Sequence, residues 1–175
     1  MVNKMLDGIE VNLNVDCLED RDLWNNIAQT VVYTGPIDAF YKYCFGALQY
    51  RSVRFETETL DKPNFQGNAA VNYTDSETPW TRIIEHKHFD YGTQPKTVIT
   101  KEYPQPWDQT KEAYYPVNND KNEQLAAKYK FLANQEPNVI FGGRLADYKY
   151  YDMDDVIASA LAAVEREGYH AETNS

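Results

Sequence analysis

The sequence predicts a mixed α+β fold, in which a central antiparallel sheet of about four to six strands is flanked by short β/α elements. Three observations support this prediction. The middle of the chain holds strand-length, β-rich segments joined by short turns, and both ends alternate short apolar strands with helical patterns. At 175 residues, with 42% hydrophobic and 25% charged residues, the chain has the composition of a globular domain.

The N-terminal quarter begins with an alternating segment and continues with two helices. Residues 9–15 alternate apolar and polar side chains with period two, which predicts a half-buried strand. Residues 19–29 predict a short helix with Asp20 as its cap, and the β-branched residues 31–34 predict a brief strand. Pro36 suits a first helical position, and an apolar stripe at helical spacing then predicts a helix over residues 37–45.

The central segment changes from helical to strand periodicity. Turn-forming sequences separate the β-rich runs, and connections this short favour an antiparallel meander. The predicted strands are residues 52–60, 69–74, 81–89 and 96–102.

The C-terminal third returns to helices around one strand. Asp120 and Glu123 have the spacing of a capping box and predict a helix with a stripe of Leu125, Tyr129 and Leu132. The apolar run 139–141 predicts a short buried strand. Asp152 precedes a last amphipathic helix that ends before Gly168; its acidic neighbours Asp154 and Asp155 are also ordinary for a first helical turn.

Composition excludes several classes of function. The net charge of −10 repels phosphate backbones, so we expect no nucleic-acid binding. The chain has no apolar run of the roughly 18–20 residues that span a bilayer and no secretory signal pattern, so we expect no membrane insertion and a cytoplasmic location. Its eight glycines form neither G-x-G-x-x-G nor a P-loop, which excludes a self-contained dinucleotide-binding fold of the ordinary kind.

The cysteines and histidines carry weak signals. Cys17 and Cys44 are expected to be buried, reduced thiols, although a disulfide or a nucleophile stays open. His86 and His88 would lie on one face of a predicted strand, and a surface or core pair is favoured over a metal site.

Arginines beside aromatic residues at the ends of predicted elements are the more informative pattern. Guanidinium groups bind phosphate through two parallel hydrogen bonds, phenols donate to phosphate or sugar oxygens, and rings stack on bases or sugars. Such stretches include 50–54, 79–82, 114–116 and 143–152. The alternative is structural: tyrosines of strands commonly bury the ring and expose the hydroxyl, and Arg54 with Glu56 fits a surface ion pair.

The same stretches resemble the UDP-galactopyranose mutase family. The resemblance covers about residues 31–161 and is strongest in VVYTGPIDAFYKYCFGALQYRSVRFETETL, NFQGNAAVNYTDSETPWTRIIEHKHF, TKEYPQPW, EAYYPVNNDKN and VIFGGRLADYKYYDMDDVIASAL. Members are isomerases that interconvert UDP-galactopyranose and UDP-galactofuranose, a precursor of cell-wall polysaccharide. The resemblance implies a reduced FAD whose N5 attacks the anomeric carbon of galactose as UDP leaves, with no side-chain nucleophile.

The resemblance also implies roles for individual residues. Arg82 would pair with the diphosphate of UDP-galactose, Tyr115 and Tyr150 would donate hydrogen bonds to it, Asn72 would lie in the substrate pocket, and Arg51 is a weaker candidate for the same cleft. Contacts with FAD are implied for Arg144 and, largely through the backbone, for Tyr151, Asp152, Met153, Asp154, Asp155 and Val156.

The resemblance covers only the C-terminal half of the proteins of this family and does not include the glycine loop that binds FAD in them. It implies that residues 1–48 and 108–168 belong to the FAD-domain side, where strands 9–15, 31–34 and 139–141 would join that domain's sheet. Residues 49–107 would form the substrate-side sheet, and 169–175 a tail. We expect the isolated chain not to retain FAD and to be inactive. A non-catalytic UDP-sugar-binding or regulatory module is the alternative, and a homodimer stays open.

Overall fold

The computed structural model describes residues 2–168, so the predicted tail 169–175 lies outside the described residues. These described residues contain six α-helices and seven strands, with five of the strands following one another in the middle of the chain. The helices are α1 Val2–Met5, α2 Arg21–Ile27, α3 Ile37–Phe40, α4 Asp120–Ala133, α5 Gly143–Ala146 and α6 Met153–Arg166. The strands are β1 Val31–Tyr33, β2 Tyr50–Leu60, β3 Ala70–Asn72, β4 Arg82–Glu85, β5 Thr97–Pro106, β6 Tyr115–Pro116 and β7 Val139–Phe141. The predicted mixed fold is confirmed.

The larger sheet has five antiparallel strands in the order β3-β4-β5-β2-β6. The predicted antiparallel pairing is correct, but the simple meander is wrong, because β2 pairs with β5 and not with its chain neighbour β3. Strand β5 offers β2 a partner of matching length, running from Thr97 opposite Leu60 to Pro106 opposite Arg51. Strand β3 has three residues and could satisfy only a small part of the backbone of β2.

The smaller sheet contains two parallel strands, β1 and β7, with Val31 opposite Val139 and Tyr33 opposite Phe141. Its inner side packs on a core of aromatic rings around Tyr33 and Phe40. A second core joins α3 and α4 to the start of β2; its buried members are Ile37, Leu48, Tyr50, Ala126, Tyr129 and Tyr148. This second core holds the two sheets together.

The alternating segment 9–15 does not form a strand, so that prediction is wrong. Ile9 is 59% and Leu13 is 78% exposed, and within residues 2–168 no strand lies beside them. Alternation provides an apolar face, but a strand also needs a neighbour for its backbone groups and a surface for that face.

The helix predicted over residues 37–45 ends after its first turn. Pro36 occupies the N-cap position, and the helix stops at Phe40 because Lys42 and Tyr43 adopt left-handed backbone conformations with φ of 50° and 56°. Cys44 is exposed and Cys17 is half-buried, and both thiols are free. The prediction of two buried thiols is therefore wrong for Cys44.

The strand predicted over residues 81–89 ends at Glu85 and continues as a 3₁₀ turn, His86–Phe89. The two histidines are therefore not on one strand face. His86 hydrogen-bonds the Thr100 hydroxyl across 2.8 Å, and His88 faces Glu85 across 3.2 Å. No group of three possible metal-ligating side chains occurs among residues 2–168.

The longer helices form where the sequence predicts them. Helix α4 begins one residue early, because Asn119 caps it by accepting a hydrogen bond from the backbone N–H of Asn122. Helix α6 has the predicted cap at Asp152, in a capping box with Asp155. None of the helices in the described part is long and apolar enough to cross a bilayer.

A buried carboxylate fastens the loop between β2 and β3 to the larger sheet. Glu85 is fully buried and accepts hydrogen bonds from the backbone N–H groups of Phe65 and Gln66 and from the Thr97 hydroxyl. Burial alone would raise the pKa of Glu85, but these donors outweigh it and lower the pKa to about 2.

This arrangement predicts acid-sensitive stability. The folded pKa of Glu85 lies below its ordinary value of 4.5, so its contribution is complete above pH 4.5 and is lost as the pH falls towards 2. We expect Glu85→Gln to lower the free energy of unfolding at pH 7 by about 2 kcal/mol or more, because the three hydrogen bonds to the carboxylate lose its charge and one accepting oxygen becomes an amide donor. Urea unfolding at pH 7 and pH 3 would measure this. The exposed Glu58→Gln is the control, and equal losses in both variants would contradict the assignment.

Candidate functional site

Strand register places four of the predicted site residues on one face of the larger sheet. Asn72 lies opposite Arg82, and Arg82 lies opposite Glu102. Arg51 lies opposite both Pro106 and Tyr115. Opposed residues share a face, and so do residues two apart on one strand, which joins Glu102 to Pro106 through Pro104. Asn72, Arg82, Arg51 and Tyr115 therefore all belong to this surface, called here the arginine face.

One end of the arginine face is built around Arg82. Its Nε donates to Asn72 Oδ1 across 2.8 Å, and its Nη1 lies 3.9 Å from Glu102 Oε2. These contacts orient the guanidinium while leaving the side chain partly exposed, so further N–H donors are free to meet a ligand. The Thr81 hydroxyl also faces the Glu102 carboxylate, at 3.2 Å.

The other end is built around Tyr115 and Tyr150. Their rings stack with centroids 5.6 Å apart and planes 23° from parallel, although the residues come from β6 and from the loop before α6. The negative charge of Asp152 and a hydrogen bond to it raise the pKa of Tyr150 above its ordinary value. The phenol has a single O–H, which is directed to Asp152, so it can donate to a ligand only by turning away from that carboxylate.

A cleft of about 350 Å³ lies between these ends. Arg51, Thr81, Glu102 and Tyr115 line it together with three neighbouring residues of β5. Arg82 and Arg51 pair with residues four apart on β5, a separation of about 13 Å along the strand. Arg51 and Tyr115 supply the cationic and phenolic donors that line the cleft, and Arg82 lies beside its lining residue Glu102.

Arg144 lies behind the tyrosine pair. Its guanidinium carbon is 5.0 Å from the centroid of the Tyr115 ring and 5.8 Å from that of Tyr150. Its Nη1 donates to the carbonyl oxygen of Tyr114 at 3.1 Å and its Nη2 to that of Tyr151 at 3.0 Å. Arg144 thus joins the substrate-side candidates to the segment predicted to contact FAD.

The predicted FAD segment, Tyr151–Val156, forms the entry to α6. Asp152 and Asp155 cap the helix, while the N–H groups of its first turn have no partner within the helix. Val156 also lines a separate cleft of about 460 Å³ beside the carboxyl ends of β1 and β7, together with Gly142 and Gly143. A side chain at Gly142 would point into open space, so the backbone there is accessible to a ligand.

These groups fit one part of FAD better than the other. The N–H groups at the start of α6 that the capping box does not use, together with the accessible backbone at Gly142, suit the carbonyl groups of an uncharged flavin ring. Three carboxylates at the helix entry, those of Asp152, Asp154 and Asp155, would repel the diphosphate of FAD. The residues present therefore fit the flavin ring, and the diphosphate needs donors from elsewhere.

Two members of the arginine face were not among the sequence candidates. Glu102 lies opposite both Arg82 and Phe55, and Phe55 presents a ring that is 46% exposed on the same surface. An acidic residue in a strand carries no sequence signal of its own. Only the pairing of β4, β5 and β2 shows that Glu102 lies beside the guanidinium of Arg82.

Comparison with known proteins decides the family. The sequence profile of the UDP-galactopyranose mutase family matches residues 1–150. The chain belongs to this family. A probable UDP-galactopyranose mutase of Klebsiella pneumoniae is 41% identical over 136 residues, which are 77% of this chain and 35% of the relative. The resemblance noted in the sequence is thereby confirmed.

Two further relatives extend the comparison. A dTDP-fucopyranose mutase of Escherichia coli is 38% identical over 136 residues, covering 77% of this chain and 36% of the relative. The UDP-galactopyranose mutase of Mycoplasma pneumoniae is 36% identical over 178 aligned positions, covering 93% and 44%. This mutase-family chain therefore spans less than half the length of each of these relatives.

Proposed function

We propose that the arginine face binds the diphosphate and sugar of UDP-galactose in a mutase that interconverts the pyranose and furanose forms. The main support is the strand register that brings Asn72, Arg82, Arg51 and Tyr115 to one face of the sheet. Tyr150 stacks on Tyr115 at the end of this face. An anionic ligand needs a local positive site on a chain of net charge −10, and this face provides one.

The proposed chemistry needs donors more than nucleophiles. UDP leaves the anomeric carbon with concentrated negative charge, and donors already held in position stabilise that charge most strongly in the transition state. Arg82 supplies a guanidinium oriented by Asn72 and Glu102, and Tyr150 supplies a phenol whose O–H would turn from Asp152 to the ligand. Tyr115 offers a second phenol, and Arg51 adds positive charge along the cleft.

Reduced FAD would supply the electron-rich nitrogen that attacks the sugar. Residues 151–156 and the guanidinium of Arg144 would hold the flavin ring next to the tyrosine pair. The relatives named for UDP-galactopyranose and dTDP-fucopyranose share a nucleoside diphosphate joined to a hexose. That shared chemistry supports a site that recognises diphosphate and sugar.

The second candidate is a UDP-sugar-binding module without catalysis. One observation favours it: the arginine face is formed within the described chain, whereas the apolar face of α6 is uncovered. Met153 is 77%, Leu161 is 61% and Val164 is 46% exposed. A polypeptide of these residues alone would therefore have the surface proposed to bind substrate, while the α6 surface next to the proposed flavin site would stay exposed to solvent.

Parallel titrations test the proposal. We expect isothermal titration calorimetry of the 175-residue protein to show UDP and UDP-galactose binding with one ligand per chain, and to show no stoichiometric binding of FAD. Inorganic pyrophosphate should compete with UDP, because the arginines bind the phosphates. Absence of any UDP binding up to about 1 mM, the weak end of specific affinities, would remove the proposed function.

A further inference from the structure

Tyr148 connects three segments of the chain around the tyrosine pair. Its side chain is buried, with 5% of its surface exposed, and its ring meets Tyr50 edge to face at 5.5 Å. Its hydroxyl lies 2.6 Å from the carbonyl oxygen of Gln49 and 3.1 Å from that of Val117. The single phenolic proton therefore serves the closer Gln49 carbonyl, before β2, with the Val117 carbonyl, after β6, as the second acceptor of a three-centre hydrogen bond.

The position of this bridge in the chain matters for the site. Val117 follows Tyr115 by two residues, and Tyr148 precedes Tyr150 by two residues. The Tyr148 hydroxyl therefore links the two segments that present the stacked rings. Arg144 makes a second link, because it donates to the carbonyl groups of Tyr114 and Tyr151.

The backbone of Tyr148 shows that the turn needs such support. Its φ is +45°, in the left-handed region that non-glycine residues adopt at a cost. The hydrogen bond of Lys149 N–H to the carbonyl oxygen of Arg144 closes the end of α5 just before Tyr150. A side chain anchored at its tip to two other segments opposes relaxation of this turn.

We propose that Tyr148 is a positioning residue for the Tyr115–Tyr150 pair, acting through its hydroxyl bridge to Gln49 and Val117. The role rests on the proposed function for its meaning in substrate binding, although the bridge itself can be tested without ligand. Tyr148 touches neither ring of the pair and acts only through the backbone segments that carry them.

Removing the hydroxyl should release the turn without unfolding the protein. In Tyr148→Phe the ring can still pack on Tyr50. The Gln49 carbonyl keeps the N–H of Val117 as a donor, and the Val117 carbonyl keeps the Asn122 side-chain amide. Neither acceptor is therefore left without a partner, and the main loss is the link that holds residues 148–150.

Nuclear magnetic resonance tests this link directly. We expect ring-to-ring nuclear Overhauser effects between Tyr115 and Tyr150 in the wild-type protein and at least a twofold loss of their intensity in Tyr148→Phe. The matched control is Tyr129→Phe: Tyr129 is fully buried, and its hydroxyl also bridges two backbone groups, those of Phe45 and Gly46. Unchanged ring contacts in Tyr148→Phe, or an equal loss in Tyr129→Phe, would overturn the proposal.

A measurement on the wild-type protein covers the case in which the variant fails to fold. A phenolic proton held in the bridge should exchange slowly with water and show proximity to the Hα atoms near Gln49 and Val117. The hydroxyl of Tyr91, whose side chain is almost fully exposed, is the reference for fast exchange. Exchange at Tyr148 as fast as at Tyr91 would overturn the bridge.

UDP titration connects the bridge to the site. In Tyr148→Phe we expect the Kd for UDP to rise about tenfold, which corresponds to about 1.4 kcal/mol, and in Tyr129→Phe to change less than about threefold. If wild-type protein binds no UDP, the proposed function fails while the ring contacts still decide the positioning role. A tenfold weaker affinity with intact ring contacts would contradict positioning.

Discussion

Replacing Arg82 by alanine is expected to lower kcat/KM by about 100-fold or more, or about 2.7 kcal/mol, in a full-length mutase carrying this segment. The Arg82 guanidinium is held by Asn72 at 2.8 Å, lies beside the cleft-lining Glu102 and keeps further N–H donors for a ligand. Charge grows on the diphosphate as UDP leaves, so the loss should fall on kcat as well as on substrate affinity. Steady-state kinetics with UDP-galactofuranose would measure both constants.

The same sheet provides a matched control for this substitution. Arg54 is also an exposed arginine of a central strand, but it lies on the opposite face, over the ring of Tyr103 and paired with Glu56. Arg54→Ala should change kcat/KM by less than about threefold, because exposed ion pairs contribute little. A loss below threefold in Arg82→Ala, or a comparable loss in both variants, would remove Arg82 from the diphosphate role.

Local patterns in the sequence predicted most of the elements. Helix α6 follows from its cap at Asp152 and its apolar period, and β1 and β7 follow from short β-branched or apolar runs before glycines. These signals lie within a few residues and depend little on the rest of the chain. The paired strands β2 and β5 were found as strands for the same reason.

The errors arose where distant partners decide the structure. Residues 9–15 have the pattern of a strand and no neighbour in the described chain, so the pattern alone was not enough. The helix after Pro36 ends early at the left-handed residues Lys42 and Tyr43, and its Asp38 accepts hydrogen bonds from Leu48 and Tyr50, which lie beyond the reach of the helical pattern. The order of the large sheet depends on matching strand lengths.

The candidate site also depends partly on local sequence and partly on strand pairing. The sequence and the family resemblance supplied the candidate arginines and tyrosines, but all five strands of the larger sheet had to pair before Asn72, Arg82, Arg51 and Tyr115 could share a face. Glu102 was missed because its importance comes from lying opposite Arg82. Tyr148 was missed because a buried tyrosine looks like an ordinary core residue until its hydroxyl partners are known.

A second large effect is expected for the flavin. A polypeptide of these 175 residues, purified alone, should carry no stoichiometric FAD and should give no detectable conversion of UDP-galactofuranose. The glycine-rich motif that holds a dinucleotide diphosphate is missing from its sequence, and the carboxylates at the entry to α6 repel that diphosphate. Absorbance of the purified protein and turnover under reducing conditions with added FAD would measure both properties.

The exposed apolar surface of β1 and α6 predicts that the missing FAD binding can be restored by a second polypeptide. Val32, which is 64% exposed on β1, and Val164, which is 46% exposed on α6, line the cleft beside β1 and β7, and Ile157 and Leu161 are further exposed apolar residues of α6. Burying three such side chains stabilises a complex by several kcal/mol, at about 1.5–3 kcal/mol each.

The N-terminal half of a relative, expressed as a separate chain, should therefore restore flavin binding. Leu161→Asp should prevent that restoration, whereas Phe131→Asp, at an equally exposed position on α4, should not. Yellow, active protein without any added half would contradict this account, because the residues described here would then have to hold the FAD diphosphate themselves.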